Sequence, residues 1–352
     1  MQMEYRMLGN SGIKVSKIGM GCWSFGGGAY WGEQSQKDVD AVVSAALDQG
    51  VNLFDTAEVY NDGASERSLG TALRGKREKA VIISKVKPSN ARPENLRKSC
   101  EDTLRRLQTD YLDVYMFHWP INAQAIRHFT SEQEEINHPA AVQQAFETMM
   151  QLQKEGKIRS IGVSNFGVRQ MEQAIATGAN IDSLEITYNL LSRAAEREAL
   201  PFCVQHGIGV VGYMALMQGL LTGKYTSPAQ VPAPQAHSRH FRAERGGDQS
   251  RHGTNGAEPE MFEAIEKIGI IAKNLGVPMS QLSIAWILQK PALTTTLVGC
   301  RNEKQLNENL KAASLQMDEG TLAELDRVTQ PLWEKLGDNM DYYENPARSR
   351  IF

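Results

Sequence analysis

Short runs of β-branched and aliphatic residues alternate along the chain with longer stretches whose apolar positions recur at helical spacing. The short runs predict strands at Ile18–Met20, Val51–Phe54, Ala80–Ser84, Leu112–Phe117, Ile158–Val163, Leu184–Thr187, Ile208–Tyr213 and Thr295–Val298. Helical stretches fit between them at 38–49, 65–73, 93–106, 140–155, 167–176 and 195–205, then at 259–275 with 279–289, and at 303–313. A hairpin over residues 4–16 precedes them. Strands separated by helices imply right-handed crossovers and a parallel sheet. Eight such units in a row fit a closed (β/α)8 TIM barrel better than a doubly wound open sheet.

Local signals support these boundaries. Pro93 sits in a first helical turn, Gly50, Gly156, Gly178 and Gly207 follow helices, and Asp38 and Ser65 read as N-caps. Two segments exceed a minimal barrel: 119–139 after the fourth strand and 222–258 after the seventh. Loops of that length are usually functional or mobile, and both are expected as lids on the face where barrel active sites sit. Residues 318–329 predict an extra helix capped by Asp318, followed by an irregular tail, Trp333–Phe352. The 352 residues would allow two domains; the pattern instead predicts one barrel domain over 1–352, with 318–352 as its C-terminal helix and tail.

Charge narrows the partners. Lys and Arg total 38 against 41 Asp and Glu, a net −3, so no basic excess points to nucleic acid or an anionic membrane. Cys22, Cys100, Cys203 and Cys300 are scattered without a CxxC pair, which argues against a metal site or a disulfide framework. No apolar stretch approaches a membrane span, and Met1–Arg6 lacks the apolar core of a secretory signal. The expectation is a cytoplasmic protein acting on a small molecule, with its oligomeric state left open.

Gly207-Ile208-Gly209-Val210-Val211-Gly212 matches GxGxxG, but the dinucleotide fingerprint needs its glycines after a strand and opening a helix. Here they overlie the strand itself, so small residues packed in a barrel strand are the better account. More telling are four polar residues at or beyond successive strand ends: Asp55, Tyr60 five positions on, Lys85 and His118. A phenol is a poor acid at neutral pH, a nearby ammonium stabilises its phenolate, and a carboxylate keeps that ammonium charged. An imidazole can hydrogen bond to a carbonyl oxygen where negative charge develops. Each residue alone has a structural explanation; together they fit proton donation to a carbonyl that accepts hydride.

The chain resembles the aldo-keto reductase superfamily. The likeness runs over Asp55-Thr56-Ala57-Glu58-Val59-Tyr60 with Ser65-Glu66, Lys85, Phe117-His118-Trp119-Pro120, Lys154 to Phe166, Tyr188-Asn189-Leu190-Leu191, Gly219 to Tyr225 and Val298-Gly299-Cys300-Arg301. It implies a barrel that binds NADP(H) without a Rossmann domain. It also implies Tyr60 as general acid/base, tuned by Lys85 and Asp55, with His118 orienting the carbonyl. By the same resemblance Ser164, Asn165 and Glu185 face the nicotinamide carboxamide and Tyr213 its ring. Met214, Ala215, Leu216, Gly219, Leu221 and Lys224 lie along the pyrophosphate, and Gly299, Arg301, Gln305, Glu308 and Asn309 at the adenosine end. Arg301 is a suitable 2′-phosphate partner, so NADP(H) is expected in preference to NAD(H), with NAD(H) still possible.

Two features depart from the family pattern. Glu185 stands where Gln is usual, and a carboxylate accepts hydrogen bonds but cannot donate them; Met214-Ala215 replaces Ser-Pro and removes a hydroxyl. Gly21-Cys22-Trp23 and Tyr30-Trp31-Gly32 are weakly similar to the bacterial inositol- and sugar-related branch. Trp23, Tyr30, Trp31 and Trp119 could line a wall for sugar faces or apolar aldehydes, or simply pack. The implied activity is carbonyl–alcohol interconversion on an aldehyde, ketone or sugar. Alternatives are a nicotinamide-binding regulatory subunit of the channel β-subunit type and a Schiff-base aldolase using Lys85.

Overall fold

The computed structural model describes residues 3–352. A hairpin of β1 (Tyr5–Met7) and β2 (Lys14–Ser16) opens the fold. The barrel strands follow: β3 (Ile18–Gly21), β4 (Leu53–Asp55), β5 (Val81–Val86), β6 (Leu112–Phe117), β7 (Ile158–Ser164), β8 (Ile181–Thr187), β9 (Gly209–Tyr213) and β10 (Thr295–Gly299). All pair in parallel, and β10 closes against β3. The expected TIM barrel is therefore present.

Period two along the strands explains where the chemistry sits. Leu53, Val81, Ile83, Val114, Met116, Val211 and Leu297 form one interior cluster with Leu8, Ile13 and Val15 of the hairpin, which stops the amino-terminal mouth. Phe54, Ile82, Tyr115, Phe117 and Val210 belong to the separate core between strands and helices. One inward step beyond the apolar layers come Asp55, Lys85, His118, Glu185 and Tyr213. The barrel is thus a packed core whose ionisable groups gather in its last layer, at the strands' carboxyl ends.

Around it run α1 (Gln36–Asp48), α2 (Ala64–Ala72), α3 (Pro93–Leu107), α4 (Ala123–Ile126), α5 (Gln133–Asn137), α6 (Val142–Lys154), α7 (Val168–Ala176), α8 (Ala199–His206), α9 (Ala243–Gly246), α10 (Glu258–Asn274), α11 (Met279–Leu288), α12 (Glu303–Leu310) and α13 (Glu319–Leu336). Two caps differ from expectation. Ser35, not Asp38, caps α1, its hydroxyl accepting from the Asp38 N–H at 3.1 Å. Gly63 in a left-handed conformation precedes α2, while Ser65 is buried and donates to the Cys22 carbonyl at 2.7 Å. Asp318 does cap α13, but that helix runs through Pro331 and includes Trp333, so the tail begins only after Leu336. Gly207 ends α8 at φ 66° and Gly209 and Gly212 lie within β9, so the GxGxxG run opens no helix.

Residues 119–139 carry α4 and α5, and residues 222–258 carry short 3-10 turns and α9. His240, in the second segment, is 3% exposed and hydrogen bonds through Nε2 to the Leu191 carbonyl at 2.8 Å. Burial pushes its pKa down to about 3. The native state therefore keeps His240 neutral while the unfolded chain takes up a proton below about pH 6.5. Stability is lost as pH falls from there toward the folded value, by ~1.4 kcal/mol per pH unit for this one group. His240→Gln should remove about that much slope from a plot of urea-unfolding free energy against pH between about 6 and 4; an unchanged slope would contradict the assignment.

Candidate active site

The carboxyl ends of the strands open into a cavity of about 1110 Å³. Asp55, Tyr60, His118, Ser164, Asn165, Glu185 and Tyr213 line its floor. Lys85 lies beneath, fully buried, paired with Asp55 and 3.3 Å from Glu185 Oε1. Its ammonium also donates to the Thr56 carbonyl at 3.1 Å and sits 5.2 Å from the Tyr60 ring centroid. The His118 ring meets Tyr60 edge-on at 5.5 Å. The four residues singled out by strand position thus converge on one spot.

Burial dominates their electrostatics. The Tyr60 phenol is raised above its ordinary range by burial, although Lys85 pulls the other way; the expected stabilisation of the phenolate is present but outweighed. Tyr60 is therefore an intact O–H donor at neutral pH. Burial, with help from the Lys85 charge, holds His118 well below the usual histidine range, so its imidazole is neutral. The acidic pair Asp55 and Glu185 beside Lys85 keeps that amine protonated despite its burial.

One wall is built from backbone under strain. Asn165, Met214, Met217 and Gln218 all adopt positive φ, a conformation non-glycine residues hold only where their surroundings over-determine it. Asn165 donates to the His118 carbonyl at 3.0 Å and accepts from the Tyr213 hydroxyl at 2.7 Å, which locks strands β6, β7 and β9 together at the rim. Gly219 also has positive φ, and a Cβ there would lie 2.5 Å from Lys224 Cε, so glycine lets the lysine cross the loop. Met214, Ala215, Leu216, Gly219 and Lys224 line the cavity, as do Gly299, Arg301, Gln305, Glu308 and Asn309. Leu221 is buried in the apolar core and lies outside the lining.

Arg301 is engaged by the loop after β3. It donates to the Gln34 side chain at 2.7 Å, to the Trp31 carbonyl at 2.8 Å and to the Glu33 carbonyl. That contact ties the adenosine-end position to the aromatic wall. There Trp23 stacks on Tyr30 at 5.1 Å and packs near the Tyr60 ring at 5.8 Å, while Trp31 meets both Trp23 and Tyr30 edge-on. Trp119 lines the cavity too, but it is 6% exposed and one face is covered by the Arg350 guanidinium at 3.5 Å.

Sequence pattern missed the far wall. Tyr343 and Arg350 of the tail, Arg251 and His237 of the 222–258 segment, and Phe129 all line the cavity. Arg350 is buried in a two-pronged contact with Asp341, and Arg239 donates to the carbonyls of Leu336, Asn339 and Asp341. Gln170 holds the Arg350 carbonyl and the Phe352 N–H, and a Cβ on Gly167 would strike the Phe352 carbonyl at 2.4 Å. The tail is thereby fixed across the barrel mouth. A paired Tyr342-Tyr343 followed by arginines was its one available signal.

Among the described residues no cluster of His, Cys, Asp and Glu is placed to hold a metal ion, and no helix is long and apolar enough to cross a membrane. A closed parallel barrel with a Tyr, Lys, Asp and His set at its carboxyl ends is the architecture of a barrel oxidoreductase. The chain belongs to the aldo/keto reductase family, whose family model matches residues 17–330. It is 32% identical to the aldo-keto reductase YhdN of Bacillus subtilis, over 86% of this chain and 87% of that one. An NADH-specific methylglyoxal reductase of Escherichia coli is 29% identical, over 89% of this chain and 94% of the relative. The crystal structure of an aldo/keto reductase from Klebsiella pneumoniae with NADP and acetate superposes with a TM-score of 0.67 at 28% identity, covering 92% of this chain and 95% of that one.

Proposed function

We propose that this aldo-keto reductase is NADP(H)-linked and interconverts the carbonyl and alcohol of an aldehyde, ketone or sugar, with Tyr60 as general acid/base. The observation that carries this reading is the placement of Tyr60: an un-ionised phenol open to the cavity, above the Lys85 ammonium and edge-on to a neutral His118. A phenol so placed can give its proton to a carbonyl oxygen while the ammonium offsets the charge left behind. His118, Trp23 and Phe129 line the cavity around that point, where the Tyr60 hydroxyl and the imidazole are the donors offered to a substrate oxygen.

The residues present fit a nicotinamide nucleotide. Glu185 Oε2, Thr187 Oγ1 and Gln218 Nε2 are buried without hydrogen-bond partners among the described residues, and they sit by the strained wall that Ser164, Asn165 and Tyr213 complete. When bound, the nicotinamide supplies or takes the hydride. The NADP-bound Klebsiella structure supports the phosphorylated form, and the NADH-specific relative shows that the family varies here. Arg301 decides the preference in this reading, because a phosphate is a stronger acceptor for a guanidinium than the loop carbonyls it now serves.

Arg301→Met should weaken NADPH binding by roughly 10- to 100-fold, the loss of about 1.5–3 kcal/mol from a charged hydrogen bond, and leave NADH binding within about threefold. Fluorescence titration of both cofactors checks it; equal losses for the two would assign Arg301 to loop packing alone. The reaction itself is tested by loss of the reduced-nicotinamide absorbance with a panel of aldehydes, ketones and sugars. A protein that binds NADPH yet turns over none of them would defeat the proposal.

A further inference from the structure

Beneath Tyr60 two carboxyl groups share one cation. Asp55 is paired directly with Lys85, and Glu185 Oε1 stands 3.3 Å from the same ammonium, with the three side chains 0–4% exposed. Glu185 Oε2 is buried with no hydrogen-bond partner among the described residues, and both carboxyls crowd a single ammonium, each with an oxygen within 3.3 Å of it. The other titratable groups around this cluster supply no positive charge: Tyr60 in the loop after β4, Tyr213 on β9 and Cys22 after β3 are un-ionised, and His118 after β6 is neutral. Two carboxylates against one ammonium would leave a net negative charge sealed in the barrel, and facing carboxyl oxygens repel unless a proton lies between them.

We propose that Asp55 and Glu185 hold one proton between them, and that Glu185 acts as a proton-holding residue that resupplies Tyr60 through Lys85. It rests on the reductase reading above only for the resupply. When Tyr60 gives its O–H proton to the substrate oxygen, a Lys85 N–H bond breaks and the phenol O–H re-forms. The acid O–H of the carboxyl pair then breaks and restores the ammonium. The centre ends with Tyr60 and Lys85 protonated and both carboxyls ionised, one proton short, which solvent returns once the cavity opens. Burial raises both carboxyls above their ordinary range, with Glu185 the more strongly displaced and the neighbouring Asp55 charge adding to it, in keeping with a pair that titrates as a unit. Glu185 so described is a positioning and proton-holding residue; nothing requires it to touch the substrate.

Infrared spectroscopy of the intact protein at about pH 7.5 reads the proton directly, without cofactor or turnover. The wild type should show the carbonyl stretch of one buried neutral carboxylic acid. Both Glu185→Gln and Asp55→Asn should lose it, since either change leaves a single carboxyl that ionises against Lys85. Absence of the band in the wild type, or its survival in either variant, overturns the shared proton. The resupply is read separately from the pH profile of carbonyl reduction. Glu185→Gln should move the alkaline fall in kcat down by about one pH unit or more, a tenfold loss at fixed alkaline pH, with KM for the carbonyl nearly constant. An unmoved limb overturns the resupply. If the wild type reduces no carbonyl at all, the reductase reading fails while the infrared result still decides the proton.

Discussion

Tyr60→Phe is expected to lower kcat for carbonyl reduction by roughly 10³-fold, within the 10²–10⁴ range of positioned proton transfer, and to leave the NADPH dissociation constant within about twofold. The hydroxyl is the only group removed. The ring keeps its packing against Trp23 at 5.8 Å and against His118 at 5.5 Å, so the cavity wall should not move. Lys85 hydrogen bonds to Asp55 and the Thr56 carbonyl independently of the phenol, which keeps the charge balance below intact. Single-turnover absorbance measurements and a fluorescence titration separate the two quantities. A variant that retained a tenth or more of the wild-type rate would transfer the proton-donor role to His118 or a water. A variant that lost NADPH binding would show that the hydroxyl serves the cofactor.

Much of this site could be read from period two. Val81, Ile83 and Lys85, or Val114, Met116 and His118, point the same way along one strand, so an ionisable residue closing an apolar alternation must cap the barrel interior. The strand ends shifted by one to three residues, which matters little because the inward parity is unchanged: β4 begins at Leu53 and still ends with Asp55 inward. The N-caps of α1 and α2 were misplaced because Ser35 and Gly63 are polar or small residues in runs rich in both, and only backbone geometry distinguishes a cap from its neighbours.

The far wall lay outside any periodic signal. Tyr343, Arg350 and Arg251 reach the cavity from irregular chain, and their placement depends on side chains catching backbone: Arg239 on three tail carbonyls, Gln170 on the last residues. Such contacts have no spacing to recognise. The cover on Trp119 was hidden for the same reason, since the arginine over its face comes from 231 positions later in the chain. Glu185 was noted as a departure in hydrogen-bonding capacity, but its proximity to Lys85 across the barrel emerges only once β5 and β8 face each other.

Lys85→Met should have the largest effect on stability. The side chain is fully buried and contributes the positive charge that balances the carboxyl pair, and breaking a buried pair by removing one partner costs about 3–5 kcal/mol. The deficit should depend on pH in a defined sense. An uncompensated Asp55 has a folded pKa above its unfolded value of about 3.9, so its contribution is fully present at low pH and is lost as pH rises toward the folded value. The variant should therefore withstand more urea at about pH 5 than at about pH 8, the opposite of what neutral His118 and His240 impose on the wild type below about pH 6.5. Adding Asp55→Asn and Glu185→Gln together removes the stranded charge and should recover most of the lost stability while leaving reduction at least ~10²-fold impaired, because no ammonium remains to offset the Tyr60 phenolate. Recovery of stability without activity separates what Lys85 does for the barrel from what it does for the proton; recovery of both would show that the phenol needs no cation beside it.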